Sequence, residues 1–283
     1  MILHVKILQA FACLVLLLGG SLAAYAQKHP EAKLGWELGA QAYTFKNFTF
    51  YEALSKIDSC GLKYVEAYPG QPLGGGLEGK MDIRMEAEKR QQLLAMLKKK
   101  GIKMKAFGVV SPGNAEDWRQ LFIFAKAMGI ETITSEPKLE DLPLVSQLCD
   151  EFKIKVAIHN HPTPSRYWNP AIVEDALKGQ SKRMGVCADI GHWTRSGIDP
   201  VASLKQLEGR IFHLHVKDLH EQDLKGHDVH WGQGVTNIAG VIGELKRQKF
   251  KGMLSAEYEY NWNHNTPDVK QSVTYFRSVV SKK

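Results

Sequence analysis

From residue 27 to the end, the chain alternates short apolar runs with longer amphipathic ones, eight times over, with no linker between units. Short apolar runs rich in branched residues read as strands, and runs with apolar residues three and four apart read as helices. Strand-like runs fall at residues 38–43, 63–67, 102–109, 131–136, 155–159, 184–189, 210–218 and 252–257. Helical patterns fill 49–60, 85–100, 115–128, 139–152, 169–178, 199–207, 235–247 and 269–280. Gly61, Gly101 and Gly129 stand where helices would stop. Eight β–α units in about 250 residues predict an α/β protein built as a single closed (β/α)8 barrel. An open doubly wound sheet would carry a glycine-rich dinucleotide turn after its first strand, and none stands there.

Residues 1–26 stand apart from that pattern. Lys6 precedes an apolar run from Ile7 to Leu18, and Ala24-Tyr-Ala26 precedes Gln27. This is the layout of a secretory signal, with cleavage expected after Ala26. The barrel is then residues 27–283, exported to the periplasm or secreted. The run is short for a bilayer span, and no other stretch is apolar enough, so no stable span is expected after cleavage. Losing Lys6 lowers the formal charge from +7 to +6, because the segment holds no acid. That mild excess forms no basic stripe, so no nucleic-acid partner is expected. Cys60, Cys149 and Cys187 remain, an odd and sparse set that reads as buried small residues and not as a disulfide framework.

Polar residues collect at the carboxyl ends of the apolar runs, where α/β barrels place their sites. Glu66 ends the second, Glu136 the fourth, and His159, Asn160 and His161 the fifth. Asp189 and His192 end the sixth, His215 and Lys217 the seventh, and Glu257 and Glu259 the eighth. In a closed barrel these ends converge on one opening. Carboxylates and imidazoles packed together repel or titrate unless a cation holds them. One divalent ion with mixed N and O ligands is the simple solution, with Mn, Zn, Co, Fe and Mg all open. Asp189, His215 and Glu257 are the firmest ligands, and Glu136 and His159 compete for the fourth place. His213 is assigned to the helix-facing side of its strand, as a structural residue. His220, His227 and His230 fall on the long loop after the seventh strand, solvated or at the mouth. The run Gly74-Gly-Gly-Leu-Glu-Gly-Lys80 has the spacing of a phosphate loop, but Met81 stands where Ser or Thr would bind magnesium. It reads as a flexible lid.

At this point the sequence resembles the sugar phosphate isomerase/epimerase family, the xylose isomerase-like TIM barrels that include endonuclease IV relatives. The resemblance covers nearly the whole mature chain. It is carried by Ala157-Ile-His-Asn-His-Pro162, Asp189-Ile-Gly-His192, His215-Val-Lys-Asp218 and Ser255-Ala-Glu-Tyr-Glu259. It implies a metal on Asp189, His215 and Glu257, with His192 facing the substrate. One departure matters. Epimerases of this family usually place a Glu at the end of the fifth strand, and this chain has His159 there. Members with a His-Asn-His element look similar to lyases that eliminate across C1–C2 of a 3-keto-glucoside.

Both readings begin with proton abstraction next to a carbonyl. The expected function is therefore a metal-dependent enzyme of the sugar isomerase/epimerase type acting on a non-phosphorylated sugar. The alternatives are a lyase or hydratase on an oxidised glycoside, and a non-catalytic secreted sugar-binding barrel. His159, His161, His192, Lys217 and Glu257 are the catalytic candidates. Glu66, Trp193, Trp231 and Tyr258 are the substrate-contact candidates. The partner is a small sugar or glycoside, and a homo-oligomer stays open.

Overall fold

The computed structural model describes residues 29–282. The expected signal at 1–26 lies outside the described residues. Eight strands close into one parallel barrel: β1 (Trp36–Gln41), β2 (Tyr64–Ala67), β3 (Lys103–Phe107), β4 (Thr132–Ser135), β5 (Lys155–His159), β6 (Met184–Asp189), β7 (Ile211–Val216) and β8 (Gly252–Ala256). Each pairs with its neighbours in sequence, and β8 closes on β1. Around them pack α1 (Phe50–Ser59), α2 (Ala87–Lys100), α3 (Ala115–Met128), α4 (Leu142–Phe152), α5 (Pro170–Ala176), α6 (Ile190–Arg195), α7 (Pro200–Gln206), α8 (Ile238–Arg247) and α9 (Thr266–Ser281). No helix among the described residues is long and apolar enough to cross a membrane.

Local chemistry explains the boundaries. Thr49 and Glu52 form a reciprocal capping box that starts α1, worth about 1 kcal/mol at such a site. Gly101 and Gly129 take left-handed backbone after α2 and α3, where a side chain would be strained. β1 ends two residues earlier than the pattern predicts. The Gln41 side chain accepts from the Tyr43 amide at 3.1 Å and turns the chain into a short 3-10 segment, Ala42–Phe45. Cys60, Cys149 and Cys187 are free and buried, as expected.

The glycine-rich run is neither a phosphate loop nor an irregular lid. It folds as a small antiparallel hairpin, Pro72–Gly74 against Leu77–Lys80. Its base is tied down by Gln71, whose amide donates to the Phe48 carbonyl at 3.1 Å.

The N-terminal ends of the strands form the floor. There Arg277 of α9 donates to Glu31 at 2.8 Å and to the Gly61 carbonyl at 2.9 Å. Glu31 is buried in that clasp, which fixes the segment leading into β1.

Candidate active site

Asp189 closes β6 and starts α6. Its Oδ1 accepts from the His192 amide at 2.7 Å, an N-cap that leaves Oδ2 free to face the barrel axis. Asn160, just past β5, holds the Asp189 backbone from both sides, accepting from its N–H and donating to its carbonyl, each at 2.9 Å. The register pairs Asp189 with His215 and His159 with Cys187, so the ends of β5, β6 and β7 come level. Ligand atoms of His159, Asp189, His215 and Glu257 lie within 4.8 Å of one another. The atoms that face inward, His159 Nε2, Asp189 Oδ2, His215 Nδ1 and Glu257 Oε2, are all buried without an aligned hydrogen bond, and their close contacts are with one another and with the Lys217 ammonium. Buried polar atoms are almost always satisfied. Four such atoms gathered within 4.8 Å, two nitrogens and two oxygens, are the donor set a divalent cation takes.

The outward nitrogens of both imidazoles meet carboxylates. His159 Nδ1 lies 3.1 Å from Glu136 Oε1, and His215 Nε2 lies 2.8 Å from Glu66 Oε2. Glu136 therefore reaches the cluster through His159, and it also contacts His161 Nδ1. These two imidazoles hold its carboxyl down to about 2, against the opposing effect of burial.

Lys217 is fully buried and sits beside the orphan cluster. Its Nζ lies 3.1 Å from Asp189 Oδ2, 2.9 Å from Glu257 Oε2 and 2.9 Å from Glu259 Oε2. Burial alone would lower its pKa, but the three carboxylates hold it well above the usual lysine range. Gly191 makes room for it, because a Cβ there would stand 2.5 Å from the Lys217 Cβ. His192 is pulled well below its ordinary value, by burial first and then by Lys217, although Asp189 opposes the shift. Arg195 Nη1 donates to His192 Nδ1 at 2.9 Å, so the neutral ring carries its proton on Nε2.

Asp228 completes the wall behind Glu259. Burial pushes its carboxyl up to about 7, despite Lys217 and Arg195, and its Oδ1 is buried without a partner. Between about pH 4 and 7 the folded chain keeps this proton while the unfolded chain has lost it. Stability then falls with rising pH through that window, by about 1.4 kcal/mol per unit from this group. Asp228→Asn is expected to remove that component. Superimposable profiles of unfolding free energy against pH for the two forms would show that Asp228 is ionised throughout.

The chain matches the model of the xylose isomerase-like TIM barrel over residues 54–279. It belongs to that family. A crystal structure of an uncharacterized protein from Parabacteroides distasonis is 38% identical to this xylose isomerase-like barrel, with a TM-score of 0.72. The match covers 86% of this chain and 99% of that one. The rhizopine catabolism protein MocC of Rhizobium meliloti is 26% identical over 229 residues, 74% of this chain and 69% of its own. The IolI protein, whose crystal structure holds a zinc atom, shares the fold at 18% identity and a TM-score of 0.67, over 87% of this chain and 98% of its own.

In this xylose isomerase-like barrel the orphan cluster forms the base of a pocket of about 450 Å³ at the C-terminal mouth. Glu136, His159, His161, His192, Glu257 and Glu259 line one side, and Gln41, Tyr43, Tyr68, Pro69, Val109 and Ser111 the other. Sequence reasoning singled out the first group and missed the second. The strand-end rule that found the former applies equally to β1, where Gln41 stands last. Tyr43 and Tyr68 meet edge-on with centroids 5.2 Å apart, a contact between two loops that no single segment announces.

Several expected contacts fall elsewhere. Glu66 lies inside the barrel with no exposure and does not line the pocket. Trp193 and Trp231 are packed into the core, and Tyr258 is buried; none lines the pocket. Trp231 packs on Phe276, centroids 5.8 Å apart. His213 does not face the helices. Residues two apart on a strand share one face, and His213 Nε2 meets the same Glu66 oxygen as His215 Nε2, each at 2.8 Å. On the long loop, His220 stacks on His227 at 3.8 Å and His227 on Tyr260 at 4.4 Å, while His230 pairs with Asp268.

Proposed function

We propose that the protein is a divalent-metal-dependent enzyme of the sugar isomerase/epimerase type, abstracting the proton next to a carbonyl of a non-phosphorylated sugar. The carrying observation is the set of four orphaned atoms at the base of the pocket, contributed by His159, Asp189, His215 and Glu257. These residues would hold the ion, with Glu136 behind His159. Two imidazoles and two carboxylates suit Zn, Mn, Co or Fe better than Mg. A bound ion supplies Lewis-acid polarisation of a carbonyl oxygen.

The remaining work falls to side chains. Glu257 lines the pocket and is the carboxylate placed to take a proton. His161 is half-exposed over the same space and backed by Glu136, an arrangement that suits proton return. His192, neutral and protonated on Nε2, lines the pocket and suits hydroxyl and enediolate oxygens, while the buried Lys217 ammonium holds Asp189, Glu257 and Glu259 from behind. Three carboxylates and no lysine or arginine line the pocket. A phosphate would be repelled there, which supports an uncharged sugar.

One observation favours a second reading. His159 stands at the end of β5 and turns Nε2 to the ion site, so Glu257 is the one carboxylate of the four-residue cluster that lines the pocket. Such a site suits elimination or hydration on an oxidised glycoside, where one base and one acid suffice.

Proton NMR in D2O with zinc or low manganese, and a chelator control, distinguishes the readings. Deuterium entering a free aldose or ketose with interconversion is the expected result. Aglycone release from a 3-keto-glucoside instead establishes the lyase. Silence in both, with and without chelator, leaves a sugar-binding barrel. For whichever substrate turns over, His161→Ala is expected to lower kcat by about 10²–10⁴ with bound-ion content unchanged. Loss of the ion in that variant would make His161 part of the ion site.

A further inference from the structure

Glu66 neither faces the pocket nor belongs to the four-atom set. It is completely enclosed. Enclosing a carboxylate costs several kcal/mol unless its oxygens are fully bonded. Glu66 meets that condition. Thr134 Oγ1 donates to Oε1 at 2.5 Å. Ser255 Oγ donates to Oε2 at 2.9 Å, and the Nε2 atoms of His213 and His215 both lie 2.8 Å from Oε2. The interior layers of such barrels are normally filled by branched apolar side chains. Here β2, β4, β7 and β8 each spend an inward position on a polar group, and all of these groups converge on this one carboxylate. One of them, His215, turns its other ring nitrogen to the orphan cluster.

We infer that Glu66 is a positioning residue for His215, setting which nitrogen of that ring is free for the metal ion. The inference rests on the reading of the cluster as a cation site. A neutral imidazole carries one N–H, and an ionised carboxylate can only accept. The carboxylate at Nε2 therefore places the proton there. Nδ1 also faces carboxylates, Glu257 Oε2 at 2.8 Å and Asp189 Oδ2 at 3.8 Å; an ion held among them would take the Nδ1 lone pair while Glu66 keeps the proton on Nε2. Second contacts of this kind orient a ligand ring and raise its basicity. Thr134 anchors one oxygen of Glu66, and Ser255 and His213 hold the other, so the carboxylate cannot swing away. His213 thus helps to fix the partner of His215. The equivalent partner of His159 is built differently: Glu136 is partly exposed and shared with His161. The two imidazoles are backed by one sealed and one open carboxylate.

The test is zinc affinity, measured by chelator competition on the full chain, alongside thermal unfolding of the metal-free protein. Glu66→Gln keeps the shape, but its amide can present an N–H to Nε2 and drive the ring proton onto Nδ1. It is expected to weaken zinc binding about 10- to 100-fold. Glu66→Asp keeps the charge and is expected to recover part of that loss. Thr134→Val removes one anchor of Glu66 but leaves its charge at His215, so it is expected to weaken zinc binding less than Glu66→Gln does. Equal zinc affinity in Glu66→Gln and wild type overturns the inference and leaves the cation site standing. A wild-type chain that binds no zinc, manganese or cobalt overturns both. Should Glu66→Gln fail to fold, long-range proton–nitrogen NMR of ¹⁵N-histidine-labelled wild type decides. Zinc-loaded protein must show His215 protonated on Nε2, and a proton on Nδ1 sinks the proposal.

Discussion

Asp189→Ala gives a folded barrel that retains no divalent ion and turns over on the order of 10³-fold more slowly, the few kcal/mol that Lewis-acid stabilisation contributes. The two oxygens of this side chain have separate duties. Oδ2 is one of the four orphaned atoms, and Oδ1 caps α6 through the His192 amide. Alanine loses both, and the missing cap costs about 1 kcal/mol. The backbone keeps its place because Asn160 holds the Asp189 N–H and carbonyl whatever the side chain. Asp189→Asn separates the effects, since an amide oxygen can still cap the helix. It should match wild type in melting temperature more closely than alanine does, yet bind the ion as poorly. Metal content, thermal unfolding and turnover of both variants are the measurements. Full turnover in Asp189→Ala would remove Asp189 from the site.

The second large effect is on stability. Lys217→Met takes away the ammonium that faces two buried carboxylates, Asp189 and Glu257, and the partly exposed Glu259, and breaking buried ion pairs in this way costs about 3–5 kcal/mol. Glu257 is then left with His215, Asp189 with His159, His192 and His215, and Glu259 with Arg195. A divalent ion on the adjacent atoms supplies the missing charge. The variant should therefore gain more stability from added zinc than wild type does, with about 2.7 kcal/mol expected at a hundredfold excess over Kd. Denaturant unfolding in chelator and in zinc measures both quantities. Equal unfolding free energies for Lys217→Met and wild type in chelator would mean that the carboxylates share protons instead of needing the ammonium.

The barrel was legible in the sequence because each β–α unit carries its own punctuation. Strands buried on both faces read as apolar runs, and the strand-end rule brought Asp189, His215 and Glu257 together before any coordinates. What escaped was set by contacts across strands. The Asp189-Ile-Gly-His192 motif hides the helix α6, too short to show a period. The pattern does not say that its glycine exists to admit Lys217 from β7. Glu66 was misassigned because the strand-end rule cannot tell the last exposed layer from the first sealed one. That distinction depends on strand stagger, which shifts register between Val65 and Glu66. Trp193 and Trp231 flank the right motifs, yet Trp193 sits on α6 and Trp231 in a turn, and both pack into the core. The choice between Glu136 and His159 for the fourth place turns on ring orientation, which the sequence does not carry: His159 Nδ1 faces Glu136 and Nε2 faces Asp189.

The clasp of Arg277, Glu31 and Gly61 puts residue 29 on the floor of the barrel, and Lys246 ties residues 280 and 282 to the C-terminal end of α8, on the same side. Both described ends of the chain thus leave from the face opposite the pocket. Anchored to a bead, a sensor chip or a scaffold through either end, the molecule would point its mouth away from the support. The binding and exchange measurements above can therefore be made on immobilised protein without shielding the site.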